Sequence, residues 1–323
     1  MNKLKNINQS FEIGNINSLV ELFFKKSKQM NKDHVFLERL GPYSKNIYTW
    51  GEVTEKILKF SNKIKKIIKQ GDRCLVISEN RPEWLIADIA IMNSGGISVP
   101  IFTTYSNNDY EYIIKDCDPS LVIVSNKLQY KKIEKYIKKD IKNIISFEPL
   151  ETKNTLLEDI FNTELKDLEI NKNIKRNFPA CIIYTSGTSG NPKGVILSHG
   201  GILSNCEGAN EILKNLVGNE TPTFLTWLPL SHSYEHAVQF IQIFLGAKIF
   251  YAENLEKLVS NMSIAKPTIM TAVPRFYQNL YNKINMNFNK LSGLKKWLIF
   301  TTILLGKKKL EKKKFRIFEI LMN

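Results

Sequence analysis

The stretch Tyr184-Thr-Ser-Gly-Thr-Ser-Gly-Asn-Pro-Lys-Gly194 sets three glycines, four aliphatic hydroxyls and one lysine between two apolar runs. Residues 180–184 and 194–197 have the apolar character of strands, so the glycines fall where the backbone must turn and expose its N–H groups. Thr185, Ser186, Thr188 and Ser189 add short donors, and Lys193 adds a point charge suited to phosphate. With Gly187 and Gly190, these residues read as a phosphate-binding loop. The plainer alternative is a Ser/Gly-rich hairpin turn. At average usage of about 7% Gly and 5% Pro, the three glycines and the proline arise at these spacings by chance at roughly 2 in 10⁵ starting positions, which argues against it. A Walker loop, G-x-x-x-x-G-K-[ST], does not fit: counting from Gly187 or Gly190 puts Pro192 or Val195 where the second glycine belongs.

Before this loop, short β-rich runs alternate with helical ones. Residues 18–30 read as a helix, and Thr49-Trp-Gly-Glu52 is a capping box opening a second, with Ile57, Phe60, Ile64 and Ile67 at helical spacing before Gly71. Strands are read at 74–78, 97–101, 121–125 and 143–147, with one helix opened by Pro82 and another capped by Ser106. Strands separated by helices imply an α/β fold with doubly wound, mostly parallel sheets and helices on both faces. Residues 127–175 are Lys-rich and show no identifiable chemistry. After the loop, a helix capped near Ser198 runs toward Gly208, followed by strands at 223–228 and 247–251 and a helix at 255–265. Residues 267–275 read as a strand closed by proline.

Two readings compete for Leu228-Pro-Leu-Ser-His-Ser-Tyr-Glu-His236. His232-Ser-Tyr-Glu-His236 fits H-x-x-E-H, a zinc-peptidase pattern with histidines one helical turn apart beside a carboxylate, although no further ligand cluster accompanies it. The second reading rests on resemblance. The 184–194 stretch matches every fixed position of the signature loop of adenylate-forming enzymes, the superfamily of acyl-CoA synthetases, luciferases and peptide-synthetase adenylation domains. The segments Gly71-Asp-Arg-Cys-Leu-Val-Ile-Ser-Glu-Asn-Arg-Pro-Glu-Trp84, Gly95-Gly-Ile-Ser-Val-Pro-Ile101 and Val273-Pro-Arg275 resemble the same family. Within it, a histidine one residue past a Leu-Pro-Leu turn borders the acyl and adenylate pocket. The resemblance therefore implies that role for His232 and leaves Glu235 and His236 as helix polar groups.

The resemblance further implies an AMP-forming ligase that activates a long-chain fatty acid with ATP and Mg²⁺ and transfers the acyl group to coenzyme A. In it Thr185, Ser186, Gly187, Thr188, Ser189, Gly190 and Lys193 would hold the ATP phosphates, Lys193 and His232 would serve catalysis, and Thr188 would face Mg²⁺. The family also uses a Tyr-Gly-any-Thr-Glu segment, a ribose-binding aspartate and a lysine on a small C-terminal domain, none of which is found in these residues. The expectation is an incomplete N-terminal adenylation domain over residues 1–323, inactive in thioester synthesis by itself. The alternatives are a non-catalytic nucleotide- or partner-binding remnant of the fold and an enzyme for another carboxylate.

The net charge is +15, from 46 basic and 31 acidic residues. Forty of the basic residues are Lys and no RNA- or DNA-reading motif accompanies them, so nucleic-acid binding is not expected. Residues 1–17 have no apolar run of signal-peptide length, and Cys74, Cys117, Cys181 and Cys206 lack C-x-x-C spacing; reduced, buried thiols in a cytoplasmic protein are expected. Residues 297–305 are apolar apart from Thr301 and Thr302, and are flanked by lysines at 295–296, 307–309 and 312–314 and by Arg316. Such a stretch suits peripheral contact of residues 295–316 with an anionic membrane at its inner face. The competing reading is a helix pair packed on a further part of the enzyme.

Overall fold

The computed structural model describes residues 13–42, 47–137, 143–152, 154–164, 169–185, 190–217 and 220–322, without the side chains of 214–217 and 312–322. In chain order the elements are α1 (Leu19–Gln29), β1 (Val35–Arg39), β2 (Ile47–Thr49), α2 (Trp50–Lys65), β3 (Arg73–Ile77), α3 (Pro82–Asn93), β4 (Ile97–Ile101), α4 (Asn107–Cys117), β5 (Leu121–Val124), α5 (Lys127–Ile133), β6 (Ile144–Ser146) and β7 (Thr155–Leu156). There follow α6 (Leu157–Phe161), β8 (Pro179–Thr185), β9 (Lys193–Ser198), α7 (His199–Val217), β10 (Thr223–Thr226), α8 (Ser233–Leu245), β11 (Lys248–Tyr251), α9 (Leu258–Ala265), α10 (Pro274–Asn289) and α11 (Gly293–Met322). The chain divides into two compact units, Met1–Thr271 and Ala272–Asn323.

The first unit holds two sheets. A seven-stranded sheet runs β7-β6-β5-β3-β4-β8-β9 and a four-stranded sheet runs β10-β11-β1-β2. All neighbours are parallel except β8 with β9 and β1 with β2. The expected mostly parallel α/β architecture is therefore present, with an antiparallel strand at one edge of each sheet. In β3, Cys74 and Val76 join one buried cluster with α2 and α3, while Leu75 and Ile77 join another with Tyr110, Ile113 and Ile114 of α4. This period-2 alternation between two apolar surfaces places helices on both faces. Helix α3 is buried along its whole length and touches both β1 and β4, so it lies between the two sheets.

Capping fixes several helix starts. Thr49 and Glu52 close a capping box at α2, Ser106 and Asp109 do the same at α4, and Ser198 Oγ accepts the Gly201 N–H at the start of α7. Three readings change. Helix α7 continues through Gly208 to Val217, because an interior glycine with ordinary φ weakens a helix by about 1 kcal/mol without ending it. Strand β10 ends at Thr226, short of the Pro229 turn. Residues 267–275 are not a strand: only Ile269 bridges to Phe224, and Pro274 opens α10, where its missing N–H costs nothing. The expected strand at 143–147 is β6, and β1 and β2 have no counterpart in the sequence reading.

The second unit contains α10 and α11, and no residue of α10 is buried. No helix among the described residues is long and apolar enough to cross a membrane.

Trp50, the first residue of α2, is stacked on Phe36 of β1 with centroids 3.7 Å apart and lies against Phe23 of α1. Trp50→Ala should lower the unfolding free energy by about 3–5 kcal/mol. Thr49→Ala, which removes only the cap, should cost about 1 kcal/mol. Urea denaturation of the two variants checks the ranking.

Candidate active site

Strands β8 and β9 deliver the loop read from the sequence. They pair antiparallel from Thr185 with Lys193 back toward Pro179 with Ser198, leaving residues 186–192 as the connection. Ser186, Gly187, Thr188 and Ser189 lie outside the described residues, so the structure describes Thr185, Gly190 and Lys193 among the expected phosphate ligands. Gly190 has φ +109°, a left-handed conformation that favours glycine. At Gly194 the demand is spatial: a Cβ there would lie 3.0 Å from Ile182 Cγ2 and 3.1 Å from Tyr184 Cζ. The Tyr184 ring fills that space and its hydroxyl donates to Asp116 Oδ2 at 2.5 Å, while Tyr105 donates to the Tyr184 carbonyl at 2.9 Å. Burial and the Asp116 contact raise the Tyr184 phenol above its ordinary range. The base of the hairpin is thus anchored, and Thr185 and Lys193 are exposed beyond it.

His232 reaches the same end of the large sheet from the other side. It caps α8, with Nδ1 accepting the Tyr234 N–H at 3.2 Å, so the ring proton sits on Nε2. Its ring meets Phe102 edge-on at 6.4 Å, and Phe102 directly follows β4, the parallel neighbour of β8. Thr185 ends β8. Loop and histidine are therefore both placed at the carboxyl ends of adjacent parallel strands, where open α/β sheets bind their ligands.

One turn further on, the polar residues face inward. His236 is buried, with Nε2 2.8 Å from Asp88 Oδ2 of α3 and Nδ1 3.4 Å from Cys181 Sγ of β8. Burial pulls its basicity down, but Asp88 foremost, with Cys181, holds it well above the ordinary imidazole range. Both nitrogens are engaged, which removes His236 as a zinc ligand, and no metal-holding group of three His, Cys, Asp or Glu occurs among the described residues. Glu235 is buried as well: burial pushes it up to about 7, against hydrogen bonds from Thr271 and Thr226, and its Oε1 has no partner. Gln239 and Gln242 continue this inward face, joining Tyr251 to Thr226 through three hydrogen bonds. The sequence reading passed over Asp88, Glu235 and His236 as site-building residues. The available signal was Glu235, Gln239 and Gln242 at i, i+4 and i+7, a polar stripe on an otherwise apolar helix.

These elements define an open-sheet α/β protein in which the exposed hairpin residues Thr185 and Lys193 and the capping histidine lie toward the strand ends. The chain belongs to the AMP-binding enzyme family, whose model matches residues 24–322. It is 29% identical over 279 residues to fatty acyl-CoA synthetase A of Dictyostelium discoideum, covering 81% of this chain and 41% of that protein. It is 30% identical over 274 residues to long chain acyl-CoA synthetase 3 of Arabidopsis thaliana, covering 77% of this chain and 40% of that one. The chain thus spans about 40% of the length of these curated relatives. In fold it resembles a long-chain-fatty-acid-CoA ligase from Archaeoglobus fulgidus, with TM-score 0.72 and 21% identity over 84% of this chain and 54% of that one. It also resembles a luciferase-like enzyme from Zophobas morio, with TM-score 0.70 and 21% identity over 82% of this chain and 62% of that one.

Glu235 binds its proton more tightly folded than unfolded, so its contribution to stability is fully present below about pH 4.5 and is lost as pH rises through about 7. The shift corresponds to on the order of 3 kcal/mol. His236 acts in the same sense, with its contribution present below pH 6.5 and lost above its raised value. Buried His199, lowered to about 4, opposes both by losing stability as pH falls below 6.5. The stability of the wild type minus that of Glu235→Gln should therefore fall steadily between pH 4.5 and 7 in guanidinium titrations. A flat difference would show that Glu235 is already ionised.

Proposed function

We propose that the chain is an incomplete N-terminal adenylation domain of an AMP-forming long-chain fatty-acid CoA ligase. The observation that carries this reading is the anchored hairpin ending in exposed Thr185 and Lys193, in a chain whose relatives include long-chain acyl-CoA synthetases. Thioester formation from a carboxylate is uphill, so the carboxylate first attacks the α-phosphate of ATP, forming acyl-adenylate and releasing pyrophosphate; coenzyme A then displaces AMP. Charge gathers on phosphate oxygens in the first step. The N–H groups and hydroxyls of residues 185–190 and the Lys193 ammonium stabilise it in place, and the Nε2–H of His232 is directed at the carboxylate or adenylate oxygens. Lys193 makes no ion pair with any described residue, which leaves its charge available.

Mg²⁺ fits this donor set as an ion carried largely by the nucleotide. It is a hard cation that keeps waters and substrate phosphates as ligands, and hydroxyls of the loop, Thr188 in particular, are oxygen donors of the right kind. Bound there, it would neutralise phosphate charge. Thr188 itself lies outside the described residues.

The proposed ligands are fatty acid, ATP and coenzyme A, without nucleic acid, in a cytoplasmic protein touching the inner face of a membrane through residues 295–316. Trp297, Leu298, Leu304 and Leu305 of α11 are exposed and lysines flank them. Nine residues in a helix span only about 13 Å, against about 30 Å of hydrocarbon, so the contact is peripheral. Each basic group near an anionic surface contributes on the order of 1 kcal/mol at low salt.

Lys193→Ala and Thr188→Ala should each weaken calorimetric binding of Mg·ATP to the full chain by roughly tenfold or more, since each removes a donor aimed at phosphate. Equal affinity in wild type and both variants would return the loop to a structural role. For the membrane contact, co-sedimentation should favour anionic over neutral vesicles at low salt and should decline when the six lysines at 307–309 and 312–314 are replaced by glutamine. Binding that ignores both changes removes the electrostatic attachment.

A further inference from the structure

The turn between β10 and α8 carries His232, and its irregular backbone is partly buried, with Pro229 and His232 exposed. Leu228, Leu230 and Ser231 are buried, so their main-chain polar groups need protein partners. Pro229 sharpens the requirement, because it supplies no N–H. Within the turn, the His232 N–H reaches the Pro229 carbonyl at 3.0 Å. The Leu228 carbonyl and the Leu230 N–H, one on each side of the proline, are both met by one side chain far earlier in the chain. Asn80 donates from Nδ2 to the Leu228 carbonyl at 2.7 Å and accepts the Leu230 N–H on Oδ1 at 3.1 Å.

Position makes this contact more than local. Asn80 follows β3 of the seven-stranded sheet, the sheet that carries the 185–193 hairpin, whereas the turn follows β10 of the four-stranded sheet. The amide is also rigidly mounted. Its neighbour Glu79 accepts from Ser125 Oγ at 2.6 Å, and its other neighbour Arg81 is paired with Glu83 and with Glu148, each at 2.7 Å. One donor and one acceptor on a short planar group match an amide side chain: aspartate would set a carboxylate oxygen against the Leu228 carbonyl, and alanine would leave both groups unpaired.

We propose that Asn80 is a positioning residue of the candidate site, clamping the two amides that flank Pro229 and so fixing His232 relative to the strand ends at Thr185 and Lys193. The inference rests on the reading of His232 as a group facing the acyl-adenylate. Asn80 touches no substrate and acts through the turn alone.

The test uses the full 323-residue chain as wild type, N80A, N80D, H232A, N80A/H232A and N80D/H232A. In long-range ¹H–¹⁵N spectra of the histidine rings, wild-type His232 should show the Nε2–H tautomer set by the Tyr234 N–H. N80A should move that signal toward a tautomer mixture and leave His34, His199 and His236 in place; an unmoved His232 signal overturns the proposal. The second readout is calorimetric affinity for palmitoyl-sulfamoyl-adenosine, a stable analogue of an acyl-adenylate. N80A and H232A should each lose about tenfold, and the double variant no more than about tenfold, because one residue acts through the other. A loss of about a hundredfold in the double variant, the product of the two, overturns the clamp and makes Asn80 an independent structural residue. Should N80A fail to fold, N80D decides: it keeps the acceptor for the Leu230 N–H, loses the donor to Leu228, and should show the same non-additivity with H232A. Should the wild type not bind the analogue, the proposed function fails, and the histidine spectrum alone upholds or overturns the clamp.

Discussion

Helix α3 is buried along its whole length between β1 and β4, so every polar side chain it carries has to find its partner inside the protein. Glu83 takes Arg81 and the Tyr48 hydroxyl, the latter at 2.9 Å. Asn93 donates to the Glu169 carbonyl and accepts the Asn171 N–H. Asp88, in the middle, takes His236, and His236 takes Cys181. Removing one member of a buried charged pair commonly costs about 3–5 kcal/mol, because the other charge is stranded. That asymmetry specifies an arrangement as well as a stability. The helix between the sheets is tied to α8 one turn past His232 and, through Cys181, to the strand that ends in Thr185, so two sheets that share one buried cluster keep one relative placement.

Much of this was legible in the residues because it is local. The glycine spacing of 184–194, the capping box at Thr49, the cap at Ser106, and the alternation of apolar runs with helices each depend on neighbours in the chain, and each has its counterpart in the structure. What was hidden depends on pairs far apart. Val35–Arg39 is a five-residue strand defined by its pairing with Lys248–Tyr251, more than 200 residues later, and nothing in Val-Phe-Leu-Glu-Arg announces that partner. The division into two sheets was hidden for the same reason. Asp88 stands between apolar residues in Leu-Ile-Ala-Asp-Ile-Ala, which does state that a buried acid needs a partner, but not that the partner is His236. Glu235 and His236 carry the same ambiguity: a helix polar group reads alike whether it faces water or the interior, and here both face inward.

The placement of charge around the candidate site follows from the order of elements. In many open α/β sheets a phosphate loop runs straight into a helix, whose N-terminus supplies partial positive charge. Here the loop runs into β9, an antiparallel strand, so no helix dipole stands directly behind it. On the proposed reading of the loop as a phosphate site, charge there comes from its own N–H groups, its hydroxyls and Lys193, in keeping with the density of glycine, serine and threonine in so few residues. Among the helix N-termini near this end of the sheet, that of α8 is capped by His232, whose Nδ1 takes the Tyr234 N–H and whose carbonyl takes the His236 N–H. A capping group that was serine or aspartate would end its role there. Histidine keeps a second nitrogen, Nε2, beyond the one that caps the helix. The residue that satisfies the helix thereby keeps a second polar atom beside the strand ends, and its placement depends on the turn that delivers it as well as on its own contacts.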